Sequence, residues 1–324
     1  MRTTGSRNVT TFAIALLAAV ASALLYAAWA PSVRNARGGQ GNSSGPPEES
    51  PANVQAGIRA LIDGRDPALA SLTAAERTEL EVFYGPAAAA RLWHDASGRL
   101  TSDGCEAWSL LRRAAEEGLD PTDYYFDLLQ RLLAGRDAVA SSPADRSRLD
   151  VVLTAGMLRY LHHLHTGRVD PRSMGFRLSA APNLDAPAIL RTAIVRHQIA
   201  NAAAEMRPPF AQYLLLRNML AVYRSMATEP ANVELPAKAL RPGDPFAGAG
   251  GLSRLLTMLG DLPADAAGLT VSERYDGVLV QGVKRFQLRQ GLEPDGILGK
   301  DTVEALRVPL AWRVRQIELA LERL

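Results

Sequence analysis

The sequence is poor in the residues that mark most chemistries. Its 324 residues include a single cysteine, Cys105, and five histidines. One cysteine excludes an intramolecular disulfide, and with no CxxC or Cys/His set there is nothing from which to build a zinc site. Neither sign of charge forms a block. The 36 basic and 34 acidic residues leave a net charge of +2, and no basic patch interleaved with aromatics is present, so nucleic acid is not an expected partner. No fixed-period repeat is evident. Sustained alternation of β-branched residues is missing too, which argues against a sheet.

Nucleotide and hydrolase signatures are likewise absent. Asp295-Gly296-Ile297-Leu298-Gly299-Lys300-Asp301 resembles a phosphate loop only at its Gly-Lys pair. Pro294 stands where the first glycine is needed and Asp301 where a Ser or Thr must hold Mg²⁺. Gly248-Ala249-Gly250-Gly251 follows no strand signal, and neither a G-x-S-x-G nor an HExxH occurs. No cofactor is therefore expected. The cluster Leu161-His162-His163-Leu164-His165 puts His162 and His165 on one helical face and His163 elsewhere. Two imidazoles are too few for a metal site, so solvated or capping histidines are the expectation.

Cys105 sits in Thr101-Ser102-Asp103-Gly104-Cys105-Glu106. A catalytic thiol needs a base and an oxyanion hole. Its neighbours Asp103 and Glu106 are acids, and His94 lies a connecting segment upstream. The pattern reads better as a capping box, Asp103 accepting from the Glu106 amide while Glu106 reaches back. A pair of carboxylates for glycan cleavage stays open, because acids are many and their tertiary distances are not encoded in spacing.

What the sequence does contain is a long apolar run followed by helices. Arg2 and Arg7 precede TFAIALLAAVASALLYAAWA at 11–30, long enough to span a bilayer at roughly 20 residues. Residues 1–30 read as a signal anchor, or as a signal peptide cleaved after Ala30, although Pro31 is a poor residue after a cleavage site. The arginines would stay in the cytoplasm and place the rest in the periplasm. Residues 31–52, rich in Gly, Ser and Pro, read as a flexible linker.

From there the fold class is mainly α. A helical domain is expected over 53–239. Within it a helix after Asp103 carries the stripe Ala107, Trp108, Leu111, Ala114 and closes at Gly118. Asp120-Pro121, Ser142-Pro143, Asp185-Ala186-Pro187 and Pro208-Pro209 introduce others. The longest, after Ser142, carries Leu149, Val152, Leu153, Gly156, Met157, Tyr160 and Leu164 and ends at Gly167. The glycine- and proline-rich RPGDPFAGAGG at 241–251 starts a second unit, 240–307, with short helices at 252–259, 275–290 and 301–306. A last helix runs from about Pro309 over 308–324.

In that second unit, YDGVLVQGVKRFQLRQGLEPDGILGKDTVEAL at 275–306 resembles the three-helix peptidoglycan-binding domain of wall enzymes. The likeness rests on Val283, Phe286, Gln287, Gly291-Leu292, Asp295-Gly296, Gly299 and Thr302. Trp93, Ala114-Ala115-Glu116-Glu117-Gly118-Leu119-Asp120-Pro121 and Leu164-His165-Thr166-Gly167-Arg168-Val169-Asp170-Pro171 resemble the helical scaffold domain of large periplasmic L,D-transpeptidases. The resemblance implies peptidoglycan as partner, with Phe286, Gln287, Asp295, Gly296, Gly299 and Thr302 as candidate binding residues. The family's catalytic motif, Ser/Thr-His-Gly-Cys, does not occur. TSDGCE has Asp103 where histidine is required, so no catalytic residue carries over. The expectation is a non-catalytic wall-binding scaffold. A truncated or split transpeptidase whose thiol comes from a separate domain remains open, as does a helical peptidoglycan hydrolase; the final helix is similar to the one leading into the family's catalytic domain.

Overall fold

The computed structural model describes residues 51–85, 92–95, 98–134, 142–169, 184–228, 233–263 and 273–324. The anchor and nearly all of the linker expected from the sequence lie outside these residues. Among the described residues no helix is long and apolar enough to cross a membrane.

Among the described residues twelve α-helices carry the fold and no strand forms, only isolated bridges. In chain order they are α1 (Pro51–Ala60), α2 (Ala74–Tyr84), α3 (Ser102–Arg112), α4 (Phe126–Ala134), α5 (Pro143–Thr166) and α6 (Ala186–Arg196). After them come α7 (Ile199–Glu205), α8 (Ala211–Ala227), α9 (Ala249–Met258), α10 (Gly277–Arg289), α11 (Lys300–Arg307) and α12 (Leu310–Glu322). Tight turns of 3₁₀ type at Ala114–Glu117 and Pro121–Tyr124 connect α3 to α4.

The 24-residue α5 is the axis of the helical part. Ser142 caps it, its hydroxyl accepting from the Asp145 amide, with Pro143 in the first turn. The sequence stripe Leu149, Val152, Leu153, Met157, Tyr160, Leu164 is buried, but so are Val151, Thr154, Ala155, Leu158 and Leu161 on the other faces. A helix buried on all sides is a core helix, and α1, α2, α3, α4 and α6 pack around it. Each buried Leu or Met contributes about 1.5–3 kcal/mol of apolar transfer. Gly156 is small because α3 and the next turn press on it: a Cβ there would stand 2.7 Å from Leu111 Cδ1 and 3.1 Å from the Tyr124 carbonyl.

A second apolar cluster joins Phe246, Leu252, Leu255 and Leu256 to Tyr275, Leu279, Val283, Phe286, Leu298, Val303 and Leu306. It is built by α9, α10 and α11, and Leu240 pairs with Leu298 through backbone hydrogen bonds of 3.0 and 3.3 Å. A third, small cluster of Tyr213, Leu220 and Leu321 seats α12 against α8.

Two helix starts differ from the sequence reading. The α3 cap is Thr101 and not Asp103. Thr101 Oγ1 accepts from the Gly104 amide at 3.1 Å, while the Thr101 amide donates to the Trp93 carbonyl at 2.9 Å. That backbone tie fixes Thr101 in extended geometry and starts the helix two residues early; Asp103 then lies in the first turn, where its carboxylate meets His197 Nδ1 at 2.8 Å. Helix α9 starts at Ala249, three residues before the apolar Leu252, because Gly250 and Gly251 are tolerated in its first turn. The short α7 was not foreseen: its alanine-rich Ile199–Glu205 lacks a side-chain cap.

Candidate functional site

The six candidate residues converge on one turn, and Gln287 is its hub. Helix α10 ends in Gly291, whose φ of 72° is the left-handed value that favours glycine. The chain then bends back through Asp295-Gly296, where Gly296 has φ 77°. Gln287, one turn before the helix end and 1% exposed, points into this bend. Its Oε1 accepts from the Gly296 amide at 2.8 Å. Its Nε2 faces Asp295 Oδ1 at 2.8 Å, the Ile297 carbonyl at 3.0 Å and Thr302 Oγ1 at 3.1 Å. One side-chain amide thereby replaces the backbone partners that a bend cannot supply for itself.

The rest of the turn is equally constrained. Tyr275 donates its hydroxyl proton to the Gly296 carbonyl at 2.6 Å, and burial pushes that phenol far above its ordinary pKa. A Cβ on Gly296 would stand 2.9 Å from both Lys284 Cε and Val280 Cγ1. Gly299 is the residue before α11, and its carbonyl accepts from Val303 at 3.0 Å. Phe286 is fully buried in the second cluster. Its ring lies under the Arg289 guanidinium, 5.5 Å from the centroid, and Arg289 is itself paired with the buried Asp261, Nε to Oδ1 at 3.0 Å.

Phe286, Gln287, Gly296 and Thr302 are thus buried and hold the turn from inside. Asp295 is exposed and Gly299 half-buried. Around them Leu288, 70% exposed, Glu293, Pro294, Lys300 and Asp301 stand in solvent. The surface is shallow and mixes one large apolar side chain with carboxylates and an ammonium. A cleft of about 290 Å³ lies elsewhere, lined by Gln55, Ile58, Arg59, Ile62, Asp63, Glu81, Tyr84 and Gly85 from the helical part; the module contributes nothing to it.

The histidine cluster divides its partners. His162 Nε2 meets Glu79 Oε1 at 2.7 Å, and that hydrogen bond raises the imidazole's pKa. His163 accepts from, or donates to, the Tyr124 hydroxyl at 2.9 Å, and burial, aided by nearby Arg159, lowers its pKa to about 4. Among the described residues no three His, Cys, Asp or Glu side chains come together as metal ligands. Cys105 is exposed. His94 is turned inward, 3.4 Å from Asp150 and near the carbonyls of Asp95 and Arg146.

Two buried polar networks escaped the sequence reading. In one, Asp150 accepts from the amides of Leu92 and Trp93, and Thr154 Oγ1 meets both Trp93 Nε1 and Tyr84 OH at 2.9 Å. In the other, Glu117, only 4% exposed, is held by Arg207 at 2.7 Å, Arg217 at 3.0 Å and the Tyr213 hydroxyl at 2.9 Å. The segments Trp93 and Ala114–Leu119 were visible as likeness, but their partners come from helices 57 to 100 residues away.

Comparison with known families returns two matches in the order of the fold. The family described as Scaffold domain matches residues 78–220, α2 to most of α8, and a peptidoglycan binding domain matches residues 252–306, α9 to α11 with the Gln287 turn. No curated protein matches the chain. The two matches stand in the order, scaffold then peptidoglycan-binding domain, for which the sequence showed its resemblance.

Proposed function

We propose that this cell-wall protein binds peptidoglycan through the surface formed by the end of α10, the 291–299 turn and the start of α11, and serves as a non-catalytic scaffold. The match of 252–306 to a peptidoglycan binding domain carries the reading. The turn's construction supports it: Phe286, Gln287, Gly296, Gly299 and Thr302 set its shape, and Leu288, Asp295 and Lys300 face outward. An apolar side chain beside polar ones suits a glycan, whose rings present C–H faces and hydroxyl edges, while Lys300 can meet stem-peptide carboxylates. In this reading residues 1–30 hold the protein at the inner membrane, with the wall-binding part in the periplasm.

A second reading, a transpeptidase acting with a thiol supplied by a separate domain, is favoured by the scaffold match. Acyl transfer would then need that second component, because the family's Ser/Thr-His-Gly-Cys motif does not stand around Cys105. Three carboxylates of the helical part do not suit the hydrolase reading. A glycosidase acid needs a raised pKa. Glu116 and Asp120 are held low, by the Arg113 hydrogen bond and the Thr122 amide respectively, and at Glu76 burial is outweighed by Arg159 and Thr73.

The test is to incubate the protein with purified sacculi and assay pellet and supernatant. Pelleting without soluble muropeptides is expected. Muropeptide release would make it a hydrolase, and a protein that stays in the supernatant would remove wall binding altogether.

A further inference from the structure

Two of the segments that carry the scaffold likeness share a task at their glycines. Gly118, in Ala115-Glu116-Glu117-Gly118, and Gly167, in His165-Thr166-Gly167-Arg168, both have left-handed φ, 79° and 77°. Both lie against the last turn of α12. A Cβ on Gly118 would stand 3.0 Å from Leu321 Cδ1, and one on Gly167 would stand 3.0 Å from Glu322 Oε1.

The contact at Gly167 has the chemistry of a receptor for a carboxylate. Glu322 Oε1 accepts from the backbone amides of Arg168 and Val169, the latter at 3.0 Å. Its Oε2 lies 3.3 Å from Arg168 Nε, and Arg168 Nη1 is steadied by Asp123 at 3.1 Å. The Glu322 side chain is only 13% exposed. One turn earlier Glu318 meets Arg224 of α8 at 2.6 Å, and that arginine also donates to the Ala115 carbonyl.

Topology gives this contact its consequence. The chain leaves the helical part at the end of α8, builds the wall-binding module, and returns as α12, two residues after α11, to lie along α8. The module is bracketed by the two members of one helix pair. Among the described residues the apolar cluster that joins the pair buries Tyr213, Leu220 and Leu321, with Leu216, Val314 and Ile317 partly buried against it, and charge-assisted hydrogen bonds add to this small cluster.

We infer that the Gly167–Val169 turn is a carboxylate-binding site whose ligand is Glu322, and that α12 docked there is a latch fixing the wall-binding module to the scaffold. With the latch closed, α12 adds a second chain connection to the segment after α8, beside the Arg289–Tyr223 contact between α10 and α8, and it is presented to its seat intramolecularly. With it open, the segment after α8 and that one side-chain contact remain. The inference goes beyond wall binding and does not depend on it.

Hydrogen exchange on the full chain tests the latch without any peptidoglycan, so its failure is distinguishable from failure of the binding proposal. Glu322→Gln keeps the shape and removes the charge. Amide protection across 313–322 should fall about tenfold or more, as expected for a lost charged hydrogen bond, while α5 and α10 keep theirs. Arg168→Gln should reproduce this, and the double variant should be little worse than either single one, since both break the same contact. Glu304→Gln, in the exposed Lys300–Glu304 pair, should change nothing. Unchanged α12 protection in both single variants would overturn the latch. So would an equal loss across α5 and α10, which would assign Glu322 to global stability.

Discussion

Gln287→Met is the substitution that most sharply tests how the 291–299 turn is made. Methionine matches glutamine in length and leaves the second apolar cluster filled, so the change isolates hydrogen bonding. It strands the Gly296 N–H and the Thr302 hydroxyl, both buried, and weakens the tie to the half-buried Ile297 carbonyl. A buried polar group left without a partner costs about 1–3 kcal/mol, so two of them cost about 2–6; allowing about 1 kcal/mol for the gain of burying a thioether in place of an amide, the loss is about 3 kcal/mol. That is a large part of the stability of a small domain. Hydrogen exchange of α10 amides against α5 amides in the same molecule reads it locally: α10 protection should collapse while α5 holds. A loss under about 1 kcal/mol would refute the reasoning, because it would mean water satisfies the turn as well as Gln287 does. Gln287→Glu should be worse than Met, placing a second carboxylate beside Asp295.

Adjacent histidines should pull stability in opposite directions with pH. His163, lowered to about 4, stabilises the fold fully above its unfolded value near 6.5 and progressively less as pH falls toward about 4, by up to about 1.4 kcal/mol per unit. His162, raised by Glu79, contributes below about 6.5 and loses that contribution as pH rises through its folded value. Urea midpoints from pH 4 to 8 should therefore fall less on the acid side in His163→Gln and less on the alkaline side in His162→Gln; identical profiles would contradict both assignments. Gly104→Ala should be among the most damaging single changes in α3, since its Cβ would stand 2.3 Å from the Trp93 carbonyl oxygen; a thermal midpoint within a degree or two of the parent would show that this approach relaxes freely. Cys105→Ser should leave wall binding and stability unchanged, because the thiol is exposed and the α3 cap is Thr101; loss of binding with full helicity would reopen thiol chemistry.

Local signals in the sequence were reliable where one residue's chemistry decides the outcome. Ser142, Asp185 and Asp120 cap the helices they were read to cap, and Gly118, Gly167 and Gly291 sit where left-handed backbone is needed. Choice between neighbouring caps was not legible: Thr101 and Asp103 have equivalent cap chemistry, and the contact that selects Thr101 comes from Trp93, eight residues away. The long-range polar networks were opaque for the same reason. Nothing near Glu117 announces Arg207, Arg217 and Tyr213, and nothing near Gly167 announces Glu322, 155 positions later. For the candidate site, spacing located the turn but not the division of labour in it. Gln287 and Asp295 look alike as polar residues in a motif, yet one is the buried hub and the other faces solvent.

Saturation binding to purified sacculi, comparing the parent with a Leu288→Asp/Lys300→Glu double variant, addresses the central claim most directly. Both side chains are exposed, at 70% and 84%, so the fold should survive their replacement. The parent should pellet saturably, and the double variant should bind at least about tenfold more weakly, the size expected for losing one apolar contact and one charge-assisted one. Equal binding by the two proteins would place the wall-binding surface elsewhere, and no binding by the parent would contradict the account.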